Sequence, residues 1–267
     1  MGYILVTNDD GVDSPALVPL VRALRELGPV RVAVPDAERS WIGKAISRWD
    51  EIRVQHIERE GIAMAAVGGY PADCTNLGVH SLFEGRPDLV VSGVNIGLNS
   101  GLGFFLSSGT IGAAMEGWIA GIPALAFSVG VQGHDREWKE RAAAPESRDI
   151  WQRAAALAAD ITRTIQESGF PVAADLLSVN FPVGAGPETP RALTELAAVG
   201  YRSLFRRTSD GVFVHDYTGE LRNEADAHAA TDVAALREGR VSITPVRLAH
   251  TAELSPEHRR ALLRASD

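Results

Sequence analysis

The sequence predicts an α/β protein: a mostly parallel sheet flanked by helices, with a β-rich C-terminal extension. Short apolar runs alternate with amphipathic helical patterns through the first two thirds of the chain. Three of those runs end abruptly in polar or glycine-rich residues, as strands do when they hand over at the carboxyl edge of a sheet. Beyond Pro182 the pattern shifts to short β-like pieces punctuated by Gly, Pro and Thr. The chain divides accordingly into 1–182, a catalytic α/β part, and 183–267, an extension with a C-terminal helix suited to oligomerisation or to covering a cleft.

Taken in order, Tyr3-Ile4-Leu5-Val6 is a buried strand that stops at Asn8-Asp9-Asp10-Gly11. Leu17, Leu20, Val21, Leu24 and Leu27 form one apolar stripe at helical spacing, so residues 14–27 read as a helix. Ser14 is its N-cap, Pro15 its first position and Gly28 its stop. Pro19 argues that regular helix begins later than Ser14. Residues 30–34 are the second strand, completing a right-handed β-α-β unit. Residues 36–50 are polar and irregular, 52–57 and 62–67 read as strands, and a helix follows from Pro71 to about Phe83. The apolar run 88–92 suits a central parallel strand covered on both faces. Glycines at 93, 97, 101 and 103 predict a mobile loop after it. Ser107-Ser108-Gly109-Thr110 heads a helix that Gly121 stops. Strands at 123–129 and 176–181 enclose a strongly patterned helix at 148–167. In the extension, 212–214 and 241–244 read as strands, and Ser255 opens a short charged helix.

With 267 residues, 45% of them hydrophobic, the chain can bury a sizeable core. A formal charge of −8, from 26 basic and 34 acidic residues, argues against nonspecific binding to nucleic acid or to anionic membrane. Cys74 is the single cysteine, which fits a reducing compartment. No signal-like segment opens the sequence, and no apolar stretch approaches the ~20 residues that span a bilayer. The expectation is a soluble cytoplasmic protein.

Two adjacent carboxylates at the end of a first strand repel unless a cation lies between them. Asn-Asp-Asp-Gly is also tight-turn chemistry in its own right. Asp9, Asp10, the Ser40 hydroxyl and the Asn95 amide oxygen are all hard oxygen donors, suited to Mg²⁺ or Mn²⁺ and not to zinc. Ser108-Gly109-Thr110, at a helix N-terminus, offers N–H groups and hydroxyls to an anion, or simply caps the helix. Asn95 can equally serve its own glycine-rich turn, and Ser40 can be a solvated loop residue. A dinucleotide oxidoreductase is excluded, since no Gly-x-Gly-x-x-Gly follows the first strand. Two rival readings are a nucleotide-sensing module with weak catalysis and a nucleotide-sugar transferase, the latter disfavoured by the absence of a second sugar-binding domain.

In this order the motifs resemble the SurE family, the stationary-phase survival proteins that act as metal-dependent 5′/3′-nucleotidases. The resemblance is carried by Thr7-Asn8-Asp9-Asp10-Gly11-Val12, by Pro35-Asp36 to Arg39-Ser40, and by Pro71-Ala72-Asp73-Cys74. It continues through Pro87-Asp88-Leu89-Val90-Val91-Ser92-Gly93-Val94-Asn95-Ile96-Gly97 and Ser108-Gly109-Thr110 to Gly117. Pro123 to Ala126, Thr231-Asp232 and Val241-Ser242-Ile243-Thr244-Pro245 complete it, so it spans nearly the whole chain.

The resemblance implies a Rossmann-like sheet, a homodimer or homotetramer, and one divalent cation held by Asp9, Asp10, Ser40 and Asn95. It implies hydrolysis of nucleoside monophosphates, with Asp9 and Asp10 catalytic, Asn8 orienting the phosphate or the carboxylates, and Asn95, Ser108, Gly109 and Thr110 binding phosphate. The chain departs from the family at the substrate mouth. Trp41 stands where glycine is usual, Lys44 lies close by, Ser107 replaces a tyrosine, and Tyr70 stands where threonine is common. Trp41 and Lys44 are thus candidates for setting substrate preference, or else a subunit contact and a solvated lysine.

Overall fold

The computed structural model describes residues 2–131, 138–217, 221–222 and 228–263. Strand β1 (Tyr3–Thr7) is buried along its whole length. A strand with no exposed face belongs in the middle of a sheet covered on both sides. It pairs in parallel with β2 (Val30–Pro35) on one side and β5 (Pro87–Ile96) on the other. Beyond β2 come β4 (Ile62–Val67), parallel, and β3 (Val54–Arg59), an antiparallel edge. Beyond β5 come β6 (Ala124–Val129) and β7 (Leu176–Phe181), both parallel.

Alternation along β1 sends Ile4 and Val6 into one core and Tyr3 and Leu5 into the other. The first core is closed by α1 (Leu17–Arg25) and α6 (Arg148–Ser168), the second by α2 (Pro71–His80) and α4 (Gly109–Ile119). Leu17, Leu20, Val21 and Leu24 are fully buried on α1. Each such side chain stabilises the fold by roughly 1.5–3 kcal/mol relative to exposure.

Several expectations shift. α1 starts at Leu17, with Ala16 as N-cap, so Ser14 does not cap it. Pro19 then sits in the first turn, where its missing N–H forfeits no helical bond. Strand β3 lies two residues later than expected. Strand β5 runs past Ser92 to Ile96, pairing Asn95 with Ser128 of β6 after a register shift. A further helix, α3 (Leu102–Ser107), precedes α4.

The segment after β5 is anchored, contrary to the mobile loop expected. Asn99 N–H donates to Asn180 Oδ1 at 2.8 Å and its amide to Ser128 Oγ at 2.8 Å, while Gly101 N–H donates to Asp232 Oδ2 at 2.7 Å. Asp232 is itself buried, and its other oxygen accepts from Ala197 and Val233 N–H.

The short helix α5 (Trp138–Ala143) lies between β6 and α6. After β7 the chain adds β8 (Arg191–Leu193), β9 (Gly200–Tyr201) and the hairpin β10 (Phe205–Ser209)–β11 (Val212–His215). Next come β12 (Leu221–Arg222), which pairs with β9, then α7 (Asp232–Arg237), β13 (Val241–Val246) and α8 (Pro256–Leu262). Strand β13 lies antiparallel against β7 and carries β8 on its far side. Nine of the described strands thus form one sheet, β3-β4-β2-β1-β5-β6-β7-β13-β8, that continues across residue 182, while β10–β11 and β9–β12 are separate two-stranded pairs. β7 is buried on both faces, so its outer edge needs a partner, and β13 supplies it.

Candidate functional site

From β1 the chain moves outward to β2 and β4; from β5 it moves outward to β6 and β7. The carboxyl ends of β1 and β5 therefore flank the topological switch point, where an open α/β sheet leaves a crevice. Thr7 pairs with Ser92 at that point, and the residues beyond carry the candidate chemistry.

Asn8 organises the turn. Its amide donates to Gly11 O at 3.1 Å, and its Oδ1 accepts from Gly11 N–H at 3.1 Å. Gly11 has φ +82°, and a Cβ there would lie 2.8 Å from the carbonyl carbon of Ala37, so only glycine fits. Asn8 acts on the carboxylates through this backbone, since its own polar atoms are engaged with Gly11.

Asp9 is buried against the N-terminus of α4. Thr110 Oγ1 donates to its Oδ1 at 2.5 Å, and its carbonyl accepts from Arg39 N–H at 2.7 Å. Gly109 makes the approach possible: a Cβ there would lie 2.8 Å from Asp9 Cβ and 3.1 Å from Arg39 O. Burial pushes the Asp9 carboxyl above the ordinary carboxylate range. The Thr110 hydroxyl and the N–H groups of Gly109 and Thr110 oppose that shift by favouring the charged form. Asp10 is partly exposed, and its Oδ2 accepts from Ile96 N–H at 3.1 Å, which ties the β1 turn to the end of β5.

The remaining candidates sit around this pair. Ser40 is exposed and donates to Glu38 Oε1 at 2.6 Å. Asn95 donates its amide to Gly97 O at 2.7 Å, which leaves Oδ1 as the ligating atom. Ser108 is the N-cap of α4, its Oγ accepting from Ile111 N–H at 3.1 Å. The structure thus joins Gly109 and Thr110 to Asp9, engages Ser108 as a cap, and leaves Ser40 on the loop after β2 and Asn95 near the carboxyl end of β5. A cleft of about 300 Å³ borders Asp10 and is walled by Asp13, Ser14, Asp36, Glu38 and Ile96. It is acidic, so an anion enters only with a cation's help.

The donor set fits a hard divalent cation. Two carboxylates, a hydroxyl and an amide oxygen are hard donors of the kind such a cation takes together with water. Among the described residues no group of three or more His, Cys, Asp or Glu is placed to hold a metal, so a thiolate or imidazole site has no counterpart here. A carboxylate as buried as Asp9, stabilised by a hydroxyl and N–H groups, is the kind of group a cation completes.

The two mouth residues differ from each other. Lys44 Nζ pairs with the buried Glu116 at 2.7 Å, and Asn76 donates to the same carboxylate at 2.8 Å. Lys44 is therefore not a solvated lysine, its charge being turned to Glu116. Trp41 instead stands among Phe104, Tyr201, His215 and Tyr217. Sequence reasoning missed those four rings; Glu116, Arg39 and Asp232 lay within quoted motifs but carried no assigned role. The one local signal was Glu116 itself, an acid inside the otherwise small and apolar α4.

Residues 4–204 match the family model described as Survival protein SurE. A 5′-nucleotidase SurE of Methanocella arvoryzae is 37% identical over 251 residues, covering 93% of each chain. The 5′-nucleotidase SurE 1 of Thermus thermophilus is 40% identical over 256 residues, again covering 93% of each. The crystal structure of a SurE protein from Aquifex aeolicus superimposes with a TM-score of 0.74 at 29% identity, covering 97% of this chain and 99% of that one. Paired aspartates at the switch point, on a sheet shared with that structure and in a sequence matched over most of its length by the family model and by relatives 37–40% identical, make this chain a member of the SurE family.

Proposed function

We propose that the protein is a metal-dependent nucleotidase that hydrolyses nucleoside 5′-monophosphates, and also 3′-monophosphates, to nucleoside and phosphate. The observation that carries this reading is the buried Asp9 beside Asp10, at the switch point and against the N-terminus of α4. The 5′-nucleotidase names of the relatives support it. Asp9, Asp10, Ser40 and Asn95 would hold one Mg²⁺ or Mn²⁺, which when bound polarises the phosphoryl oxygens and offsets their charge.

The rest falls to the chain. Thr110, Gly109 and the Arg39 N–H fix Asp9, and Ile96 N–H fixes Asp10, so the carboxylates are oriented before substrate arrives. Asp9 is hemmed in by α4, which suits a ligand and not an attacking nucleophile; water is the attacking group in this reading. Asn95, Ser108, Gly109 and Thr110 face the phosphate as an outer ring, the last two acting chiefly through Asp9.

We assign the 183–267 segment to assembly as a homodimer or homotetramer. Phe205, Val212 and Phe213 on the β10–β11 hairpin are exposed apolar residues that support this role. No helix among the described residues is long and apolar enough to cross a membrane, and with a lone buried Cys74 a cytoplasmic setting fits. A screen of 5′- and 3′-mononucleotides with wild type and Asp10→Asn tests the reading. Asp10→Asn keeps an acceptor for Ile96 but loses a charge, so both metal affinity and turnover should fall; a fully active variant removes Asp10 from the site.

A further inference from the structure

Trp41 follows Ser40 directly, and its indole is ringed by four aromatic side chains. Ring centroids lie 5.1 Å away for His215, 5.4 Å for Tyr201, and 5.8 Å for both Phe104 and Tyr217. Phe104 is 5.5 Å from Tyr201 and 5.5 Å from Tyr217, so the rings brace one another. The contacts are edge-on or tilted, within the range where aromatic pairs attract. The rings come from the loop after β2, from α3 and from the extension.

The backbone of Trp41 has φ +60°, a left-handed conformation that a bulky residue rarely adopts. Such a conformation persists where the surroundings hold it, and it concentrates at ligand sites. Yet Trp41 remains 40% exposed. An indole braced by four neighbouring rings and still 40% exposed is ordered before a ligand arrives, so stacking on its open part costs little further entropy.

Two hydrogen bonds tie this nest to the reacting end. Tyr201 and Ser107 share a hydroxyl–hydroxyl bond of 2.8 Å, and Gly43 N–H donates to Ser107 O at 2.9 Å. Ser107 precedes Ser108, the cap of α4. The other end of the Trp41 loop is fixed at Asp9 by Arg39 N–H. Of the cations flanking Trp41 in this loop, Arg39 pairs with Asp36, Lys44 with Glu116, and Arg48 lies over Trp49, so what the nest offers is a π surface rather than charge.

We propose that this nest is the leaving-group subsite, with the exposed part of the Trp41 indole as the platform on which the nucleobase stacks. The proposal rests on the phosphomonoesterase reading for the rest of the substrate. Stacking scales with the ring area covered, so purine monophosphates are the class selected, ahead of pyrimidine monophosphates and of phosphates with no aromatic leaving group.

The test compares kcat/KM for AMP with that for ribose 5-phosphate in wild type and Trp41→Ala. Base stacking of this kind is removed by alanine with a loss of about 5- to 150-fold. The AMP to ribose 5-phosphate ratio should fall by such a factor, chiefly through KM for AMP. Trp41→Phe, which keeps a smaller ring, should fall between the two and serves if Trp41→Ala does not fold.

A ratio that is unchanged, or that rises because AMP is now accepted better, overturns the proposal; a rise would mean that Trp41 blocks the base. A second measurement does not depend on turnover. Of the five tryptophans, the 5-fluorotryptophan resonance absent from Trp41→Phe is that of Trp41. Adenosine should shift it and ribose should not. If wild type hydrolyses neither phosphate, the nucleotidase reading fails, while the fluorine shift still decides whether the nest takes a base.

Discussion

Thr110→Val tests how Asp9 is held. Thr110 has no solvent exposure, and the change swaps a hydroxyl for a methyl at nearly constant shape. What disappears is the 2.5 Å hydrogen bond to Asp9 Oδ1. A hydrogen bond to a charged group contributes about 1.5–3 kcal/mol. The N–H groups of Gly109 and Thr110 still favour the charged carboxylate, so the lower part of that range applies. About 1.5–2 kcal/mol corresponds to about 10- to 30-fold in an equilibrium constant. Groups that orient metal ligands typically account for 10–100-fold in metal affinity or activity. Calorimetric titration of Mn²⁺ into chelator-treated wild type and variant reads the change directly, with AMP turnover followed at saturating metal. Metal should bind about 10- to 30-fold more weakly, with turnover at saturation within a few-fold of wild type. Unchanged metal affinity with turnover reduced on the order of 10²-fold would refute the reasoning, because it would put the hydroxyl on the phosphate instead of on Asp9.

Other consequences follow from the same geometry. Gly109→Ala places a Cβ 2.8 Å from Asp9 Cβ and 3.1 Å from the Arg39 carbonyl oxygen, closer than either neighbour can accept without shifting. Metal affinity should fall further than in Thr110→Val while circular dichroism shows a folded protein; an unaffected titration would mean that Asp9 has room to move. Lys44→Met strands the Glu116 carboxylate, whose side chain is 7% exposed. Lys44 itself is 29% exposed, so solvent screening reduces the cost to about 2 kcal/mol, seen as a lower denaturation midpoint. The substrate ranking should stay as in wild type, and a reordered ranking would return Lys44 to the mouth. Asp232 carries a carboxyl raised by burial, partly offset by the N–H groups of Gly101, Ala197 and Val233. A carboxyl raised in the folded state binds its proton more tightly there than in the unfolded chain. Its contribution to stability therefore declines as pH rises from the ordinary carboxylate value through the raised one. Urea melts of wild type and Asp232→Ala across that window should show the difference between them shrinking with pH; a difference that grows would mean the N–H groups outweigh burial.

The strand-turn-helix at the N-terminus was legible because its signals are local. An apolar run, a polar stop and a stripe at helical spacing all lie within the first 27 residues, and the structure shows β1 and α1 there. The Ser108 cap was legible for the same reason. The last four residues of β5 were not, since Gly93 and Gly97 look like loop residues, yet pairing with β6 carries the strand on to Ile96. The ligand-bearing turns were visible as turns, but their mutual fixing was hidden. The donors to Asp9 come from positions 39 and 110, and the donor to Asp10 from position 96. The setting of Trp41 was likewise out of reach, because its four partners lie between 63 and 176 residues further on, at 104, 201, 215 and 217. Such contacts depend on sheet order, and no local pattern encodes that.

The proposed catalysis needs a cation held by Asp9 and Asp10. The direct measurement is AMP hydrolysis by the full chain after exhaustive chelation, then with Mn²⁺ or Mg²⁺ restored stepwise. Activity should vanish on chelation and return to a plateau as one equivalent of metal binds. Undiminished hydrolysis by the chelated protein would contradict the account.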